Sequence, residues 1–211
     1  MAQTLDIGRR IELVPMDGHF EDITVGLYVQ ENAQGIAFLV HTYSQREGAQ
    51  TRIDFLKRAM QTLGGMEETA DGLLRFPCGD IHLLAVKRLF LDACKIGMDV
   101  DVEVRSMTIL DKKSGLHISA NSLSDGGYQI TADQDESGAD RRIKLVAGGL
   151  AKLGELDKVE DVEDQVKFRC GASHDGLVGV LLVRAPNVRS VLRELEQAAG
   201  RGVLAAPSAQ N

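Results

Sequence analysis

The sequence predicts an α+β protein made of two internally duplicated β-β-β-α-β-(β)-α halves, with mostly antiparallel sheets carrying their helices on one face. Three observations predict it. First, Ile53, Leu56, Met60 and Leu63 recur at helical spacing, and Ile143, Val146, Leu150 and Leu153 repeat the pattern 90 positions later. Residues at i, i+3, i+7 and i+10 share one helix face, so each half has an amphipathic helix burying the same stripe. Second, Phe76-Pro77-Cys78-Gly79 and Phe168-Arg169-Cys170-Gly171 share a Phe-x-Cys-Gly frame at an offset of 92. Third, each helical pattern is preceded by alternating apolar and polar segments bounded by turn residues, the signature of half-buried strands.

In the first half the expected strands are Arg10 to Val14, Ile23 to Gln30 and Ile36 to Tyr43, with a hairpin turn at Glu31 to Gly35. Residues 41–64 and 131–154 align without gaps, and six of 24 positions are identical, among them Gly48/Gly138, Arg52/Arg142 and Gly64/Gly154. Gly64 and Gly154 follow the last apolar residue of each helix, where a left-handed residue costs least as glycine. A further strand leads into the Phe-x-Cys-Gly frame. A closing helix follows, marked by Val86, Leu89, Phe90 and Ala93, with Asp80 as its expected N-cap.

The second half repeats this order with strands at Val100 to Leu110, Leu116 to Ser122 and Tyr128 to Ala132, and a turn at Ser124 to Gly127. A small insertion accounts for the change of offset. After Gly171 the halves differ. The segment His174-Asp175-Gly176 reads as a turn, and the apolar run Leu177 to Val183 as an extra strand. The closing helix is marked by Val188, Val191, Leu192 and Leu195, with Asn187 as its expected N-cap. The units are therefore residues 8–98, 99–201 and a flexible tail, 202–211. A half of this kind must cover its helix face and its strand edges, so the two are expected to pack as one pseudo-twofold unit.

Composition narrows the function classes. The 211 residues are 44% hydrophobic and 26% charged, as in an ordinary globular protein. A net charge of −7 and basic residues that never extend into a stripe make nucleic acid an unlikely partner. Aromatic residues are only 4%, too few for base-stacking platforms. Three widely spaced cysteines form no disulfide framework, and no secretory leader or membrane span is read, so a cytoplasmic protein is expected.

Two copies of Cys-x-x-x-His, Cys78/His82 and Cys170/His174, supply four soft or borderline ligands. Two from each half would close a tetrahedral zinc site between them. Two points weigh against this. The spacing is not usual for a zinc finger, and the contexts diverge, with His82 in a helix's first turn and His174 in a turn before a strand. A buried thiol with an incidental histidine is the simpler reading. The loop Asp133 to Gly138 resembles the start of a calcium-binding loop, but its twelfth position is Lys144 rather than a bidentate Glu. A solvated loop explains it with fewer assumptions.

Arg52 and Arg142 occupy the first turn of the repeated helix, where the macrodipole disfavours a cation. Either they bind a small anionic ligand at the helix start, or each makes a salt bridge, to Glu47 or Asp140 respectively; the salt bridge is preferred. His41 and His117 have no neighbour that spells a triad, and the adjacent Ser173, His174 and Asp175 cannot form one among themselves. Ala147-Gly148-Gly149 lies inside a helix, where small residues let another element approach. The expected function is a non-catalytic binding or scaffold protein that self-associates. The alternative is an enzyme, in one version metal-dependent, acting on a small anionic substrate between the halves.

Overall fold

Alternation sets the sheets. In β1 (Val25–Asn32) and β2 (Gly35–Thr42), Val25, Leu27, Phe38 and Val40 are buried at every second position, the period that turns one strand face toward a core. The computed structural model describes Ile23 and residues 25–32, 35–96, 101–133, 138–160 and 162–203. The expected strand at Arg10 to Val14, His19, residues 134–137 of the acidic loop and residues 204–211 of the tail lie outside the described residues.

The first sheet adds β3 (Glu67–Glu68) and β4 (Leu74–Arg75) in the order β1-β2-β4-β3. The second contains β5 (Thr108–Leu110), β6 (His117–Ser122), β7 (Gly127–Ala132), β8 (Leu156–Lys158) and β9 (Gln165–Phe168), ordered β5-β6-β7-β9-β8. All their pairings are antiparallel. The order β6-β7-β9-β8 follows the same path as β1-β2-β4-β3, with β5 added at the edge. Val100 to Leu110 is extended only at its end, because residues 101–106 take no regular structure. The single strand expected after each long helix is a two-stranded hairpin.

Helices α1 (Ala49–Gly64) and α3 (Ala139–Gly154) each span 16 residues and bury the stripes that the sequence marks, Ile143 only in part. They cover one face of their sheets, α1 against β2 and α3 against β7, β8 and β9. Helix α2 (Leu83–Cys94) follows β4. The left-handed residue that ends each long helix stands one place later than expected, at Gly65 (φ 65°) and Glu155 (φ 56°). Gly64 and Gly154 instead permit close packing. A Cβ on Gly64 would lie 2.3 Å from Leu89 Cδ2, and one on Gly154 2.1 Å from Leu156 Cδ1.

The expected strand Leu177 to Val183 is a helix, α4 (Asp175–Leu182), followed by a one-turn 3-10 helix (Ala185–Asn187) and α5 (Val188–Val203). A short apolar run carries no period, so strand and buried helix look alike in it. Burial on all sides explains the composition. Leu177, Val178, Val180, Leu181 and Leu182 are all at most 3% exposed, with α4 packed against α1, α2, α3, β5 and β6. One expected cap moves. His82 rather than Asp80 is the N-cap of α2, and Asn187 ends the 3-10 turn ahead of α5. Gly202 and Val203, assigned to the tail, belong to α5.

One hydrophobic cluster draws on both halves, from Leu56, Leu63 and Phe90 to Leu150, Phe168 and Leu181. Across it the helix ends cross over. Helix α4 starts against the end of α1, where a Cβ on Gly176 would lie 2.7 Å from the Leu63 carbonyl oxygen. Helix α2 starts against the residue after α3, with the Leu84 N–H donating to Glu155 Oε2 at 3.3 Å. Among the described residues, no helix is long and apolar enough to cross a membrane.

Candidate metal centre

The starts of α2 and α4 carry the two histidines. His82 and His174 are the N-cap residues of these helices, and their carbonyls accept from Val86 and Val178 at 2.9 Å each. Their contexts therefore converge, because α4 is a helix. The cysteine four residues upstream sits in the same turn each time. The Gly79 N–H donates to the Phe76 carbonyl at 3.0 Å, and the Gly171 N–H to the Phe168 carbonyl at 2.9 Å. Pro77 takes the second place of the first turn, where its fixed φ is favoured. Gly79 (φ 79°) and Gly171 (φ 75°) then turn the chain through a left-handed conformation. This brings the amide two residues after each cysteine onto its sulfur, Asp80 N–H to Cys78 Sγ and Ala172 N–H to Cys170 Sγ, both at 3.4 Å.

The four side chains meet. The donor atoms of Cys78, His82, Cys170 and His174 all lie within 4.8 Å of one another. Each cysteine sulfur is 3.3 Å from Nε2 of its own histidine. A tetrahedral zinc with bonds of about 2.3 Å to sulfur and 2.05 Å to nitrogen has ligand–ligand edges of about 3.3–3.8 Å. The two sulfur–nitrogen edges fit as they stand. The widest pair, at most 4.8 Å apart, needs to contract by about 1 Å to reach that geometry. The donor set is two sulfurs and two imidazoles, a combination compatible with tetrahedral zinc. These residues can hold a metal ion.

Packing fixes the imidazoles. Phe76 and Phe168, each 1% exposed, contact both histidines edge to face, with centroids 4.8–5.3 Å apart. Each phenyl thus holds the histidine of its own half and that of the other. His174 is further placed by Tyr128, whose buried hydroxyl accepts the His174 N–H at 2.5 Å and donates to Asp175 Oδ1 at 3.0 Å. Phe38 stands at the matching position 90 residues earlier, so this hydroxyl belongs to the second half alone. His82 instead takes a left-handed backbone (φ 38°), which a non-glycine residue adopts at a cost of about 1–3 kcal/mol and retains only when its surroundings hold it.

Burial governs the charge of the set. It lowers the pKa of both histidines, that of His174 to about 4 with the facing His82 reinforcing the shift. Burial pushes the Cys78 thiol up to about 11, and the neighbouring Cys170 adds to the rise against the Asp80 N–H. Neutral imidazoles present free lone pairs. A metal held by these residues would displace the thiol protons, and amide donors already touch both sulfurs.

Arg52 and Arg142 stand apart from this cluster. Arg52, 2% exposed, reaches the opposite end of α2 and donates to the carbonyls of Cys94 at 2.9 Å and Ile96 at 3.2 Å. A cation is unfavourable at the start of its own helix but favourable at the end of α2. Arg142 bonds through Nε to Asp111 Oδ2 at 2.7 Å, so the acid it meets is Asp111 and not Asp140. Burial pushes the Asp111 carboxyl up, but bonds from Ser114 and Arg142 outweigh it and hold the pKa low. His41 lies edge to face on Tyr43, and exposed His117 pairs with Asp133 at 2.9 Å. Tyr128 and the crossed contacts of the phenylalanines carry no signal in the sequence, since both depend on which elements pack together. Compared with family models, curated proteins and solved structures, the chain matches none of them.

Proposed function

We propose that this is a non-catalytic binding protein whose two halves are fastened by a structural zinc ion on Cys78, His82, Cys170 and His174. The observation that carries the reading is the convergence of two matching Cys-x-x-x-His turns, one from each half, on one donor set. The set is closed. Four protein ligands complete a tetrahedron and leave no position for water or substrate, as in structural sites. His82 is 4% and His174 8% exposed, which denies a reactant access to the nitrogens. This weighs against metal-dependent catalysis and for a fold-locking role.

Metal analysis of the protein purified from zinc-supplemented cells tests the reading. We expect close to one zinc per chain, lost in a Cys78→Ser, Cys170→Ser variant that still folds. Less than about a fifth of an equivalent, in a protein that also takes up no Co²⁺ or Zn²⁺ on titration, would sink it, since four-ligand sites retain their ion.

A further inference from the structure

We infer that a second site, a basic groove along α3, β8 and the start of α5, binds small molecules carrying a polyphosphate chain. It extends the binding reading and does not depend on the metal centre. The groove has a volume of about 800 Å³, and among the described residues its lining includes Lys113, Lys144, Lys152, Lys158, Arg189 and Arg193 but no carboxylate. That volume falls within the range of about 300–1,000 Å³ usual for small-molecule sites.

The chain as a whole has 31 acidic against 24 basic residues, so six cations around one concavity run against its average. Among the described residues, Lys144 alone is ion-paired, to Glu163 from outside the lining. Among the described residues the other five have no carboxylate within ion-pair distance. Like charges confined in a concave surface repel one another and concentrate field on whatever anion enters. Their number fits a multiply charged chain better than a single carboxylate.

The backbone builds the concavity. A Cβ on Gly149 would lie 2.2 Å from the Ala185 carbonyl oxygen, so glycine there lets the 3-10 turn seat directly on α3. This brings the first turn of α5, with Val188, Arg189 and Ser190, to the groove, where the positive end of the helix dipole adds to the field. Gly148 leaves the wall open, with only Lys158 near its missing side chain, at 3.8 Å. Leu145, 39% exposed, and Val188 supply apolar lining. An organic body can rest there while its phosphates meet the lysines. Among the described residues no aromatic ring lines the groove, so a base would pack on aliphatic carbon.

Calorimetric titration of the full chain with inorganic tripolyphosphate and with ATP tests this at constant ionic strength. We expect a Kd below about 1 mM for at least one of them, weakening as salt is raised. Tighter ATP assigns the apolar wall to an organic body, and equal affinities assign binding to the phosphate chain alone. Both Lys152→Glu, Lys158→Glu and Gly148→Glu should weaken binding at least about 10-fold at unchanged zinc content, since each places negative charge in the groove. No binding of either probe by the wild type overturns the proposal, and so does unchanged affinity in both variants. Zinc content reports separately on the metal centre.

Discussion

The imidazoles of His82 and His174 face each other with ring centroids 4.7 Å apart at an angle of 68°, although 92 positions separate them in the chain. Two neutral rings can be held so close, but two protonated ones would repel. The contact therefore ties the packing of the two halves to the protonation of this pair and to any ion placed between the rings.

Removing one ligand should loosen the whole fold. For His174→Ala we expect a loss of about 3 kcal/mol, from the metal and from the cavity left between Phe76 and Phe168. In a chain of this size that lowers the unfolding midpoint by roughly 6–12 °C. The wild type treated with a strong chelator should lose part of the same amount, and the variant should lose nothing further. Scanning calorimetry with and without chelator checks this. An equal chelator effect on both proteins would rule out His174 as a ligand.

The metal-free protein should lose stability as pH falls from about 6.5 toward 4. The folded-state pKa of His174 is depressed to about 4 and that of His82 is also lowered, so between those pH values the unfolded chain binds more protons. Each histidine's contribution is full above its unfolded value and disappears as pH falls through the folded one. Denaturant midpoints measured across this range, for the chelated wild type and for His174→Phe, isolate the effect. The variant should show a shallower slope, and parallel curves would contradict buried neutral imidazoles.

Much of this was legible in the sequence, and where reading failed the reasons are physical. The stripes of α1 and α3 survive translation into structure because Leu56, Met60, Val146 and Leu150 are all fully buried. The four candidate ligands were visible as two Cys-x-x-x-His segments. What argued against them was their unusual spacing and the supposed strand Leu177 to Val183, an apolar run with no period because α4 is buried on all sides. Arg52 and Arg142 were recognisable as misplaced cations, but their partners, the end of α2 and Asp111, come into reach only through tertiary packing. The basic groove was invisible for the same reason, since its cations are scattered between residues 113 and 193.

Tyr128→Phe tests the support behind His174. The substitution removes the hydroxyl that accepts the His174 N–H and donates to Asp175, while Ser122 Oγ remains on Asp175 Oδ1 at 2.9 Å. A buried N–H left without its acceptor costs about 1–3 kcal/mol. Because that bond holds the His174 backbone rather than its ring, its loss should weaken metal binding by letting the imidazole drift from the other ligands. Cobalt titration followed by its absorption bands should show the same tetrahedral spectrum with lower affinity. A changed spectrum would mean that Tyr128 acts on the ligand geometry itself, and an unchanged affinity that it gives the centre no support.

Neighbouring glycines in α3 should respond oppositely to alanine. Gly148→Ala meets nothing nearer than Lys158 Nζ at 3.8 Å, so the helix should gain stability, by about 0.5–1 kcal/mol. Gly149→Ala gains the same propensity but drives its Cβ to 2.2 Å from the Ala185 carbonyl oxygen, a backbone atom that cannot swing aside. Overpacking of this kind costs about 1–3 kcal/mol, so the net effect should be destabilising. Because Ala185 leads directly into α5, Gly149→Ala should also push α5 away from α3 and weaken polyphosphate binding, whereas Gly148→Ala keeps the wall in place. Denaturant midpoints for the two variants, measured beside their affinities for tripolyphosphate, separate the outcomes. Equal stabilisation by both would show that the 3-10 turn does not press on α3 as described.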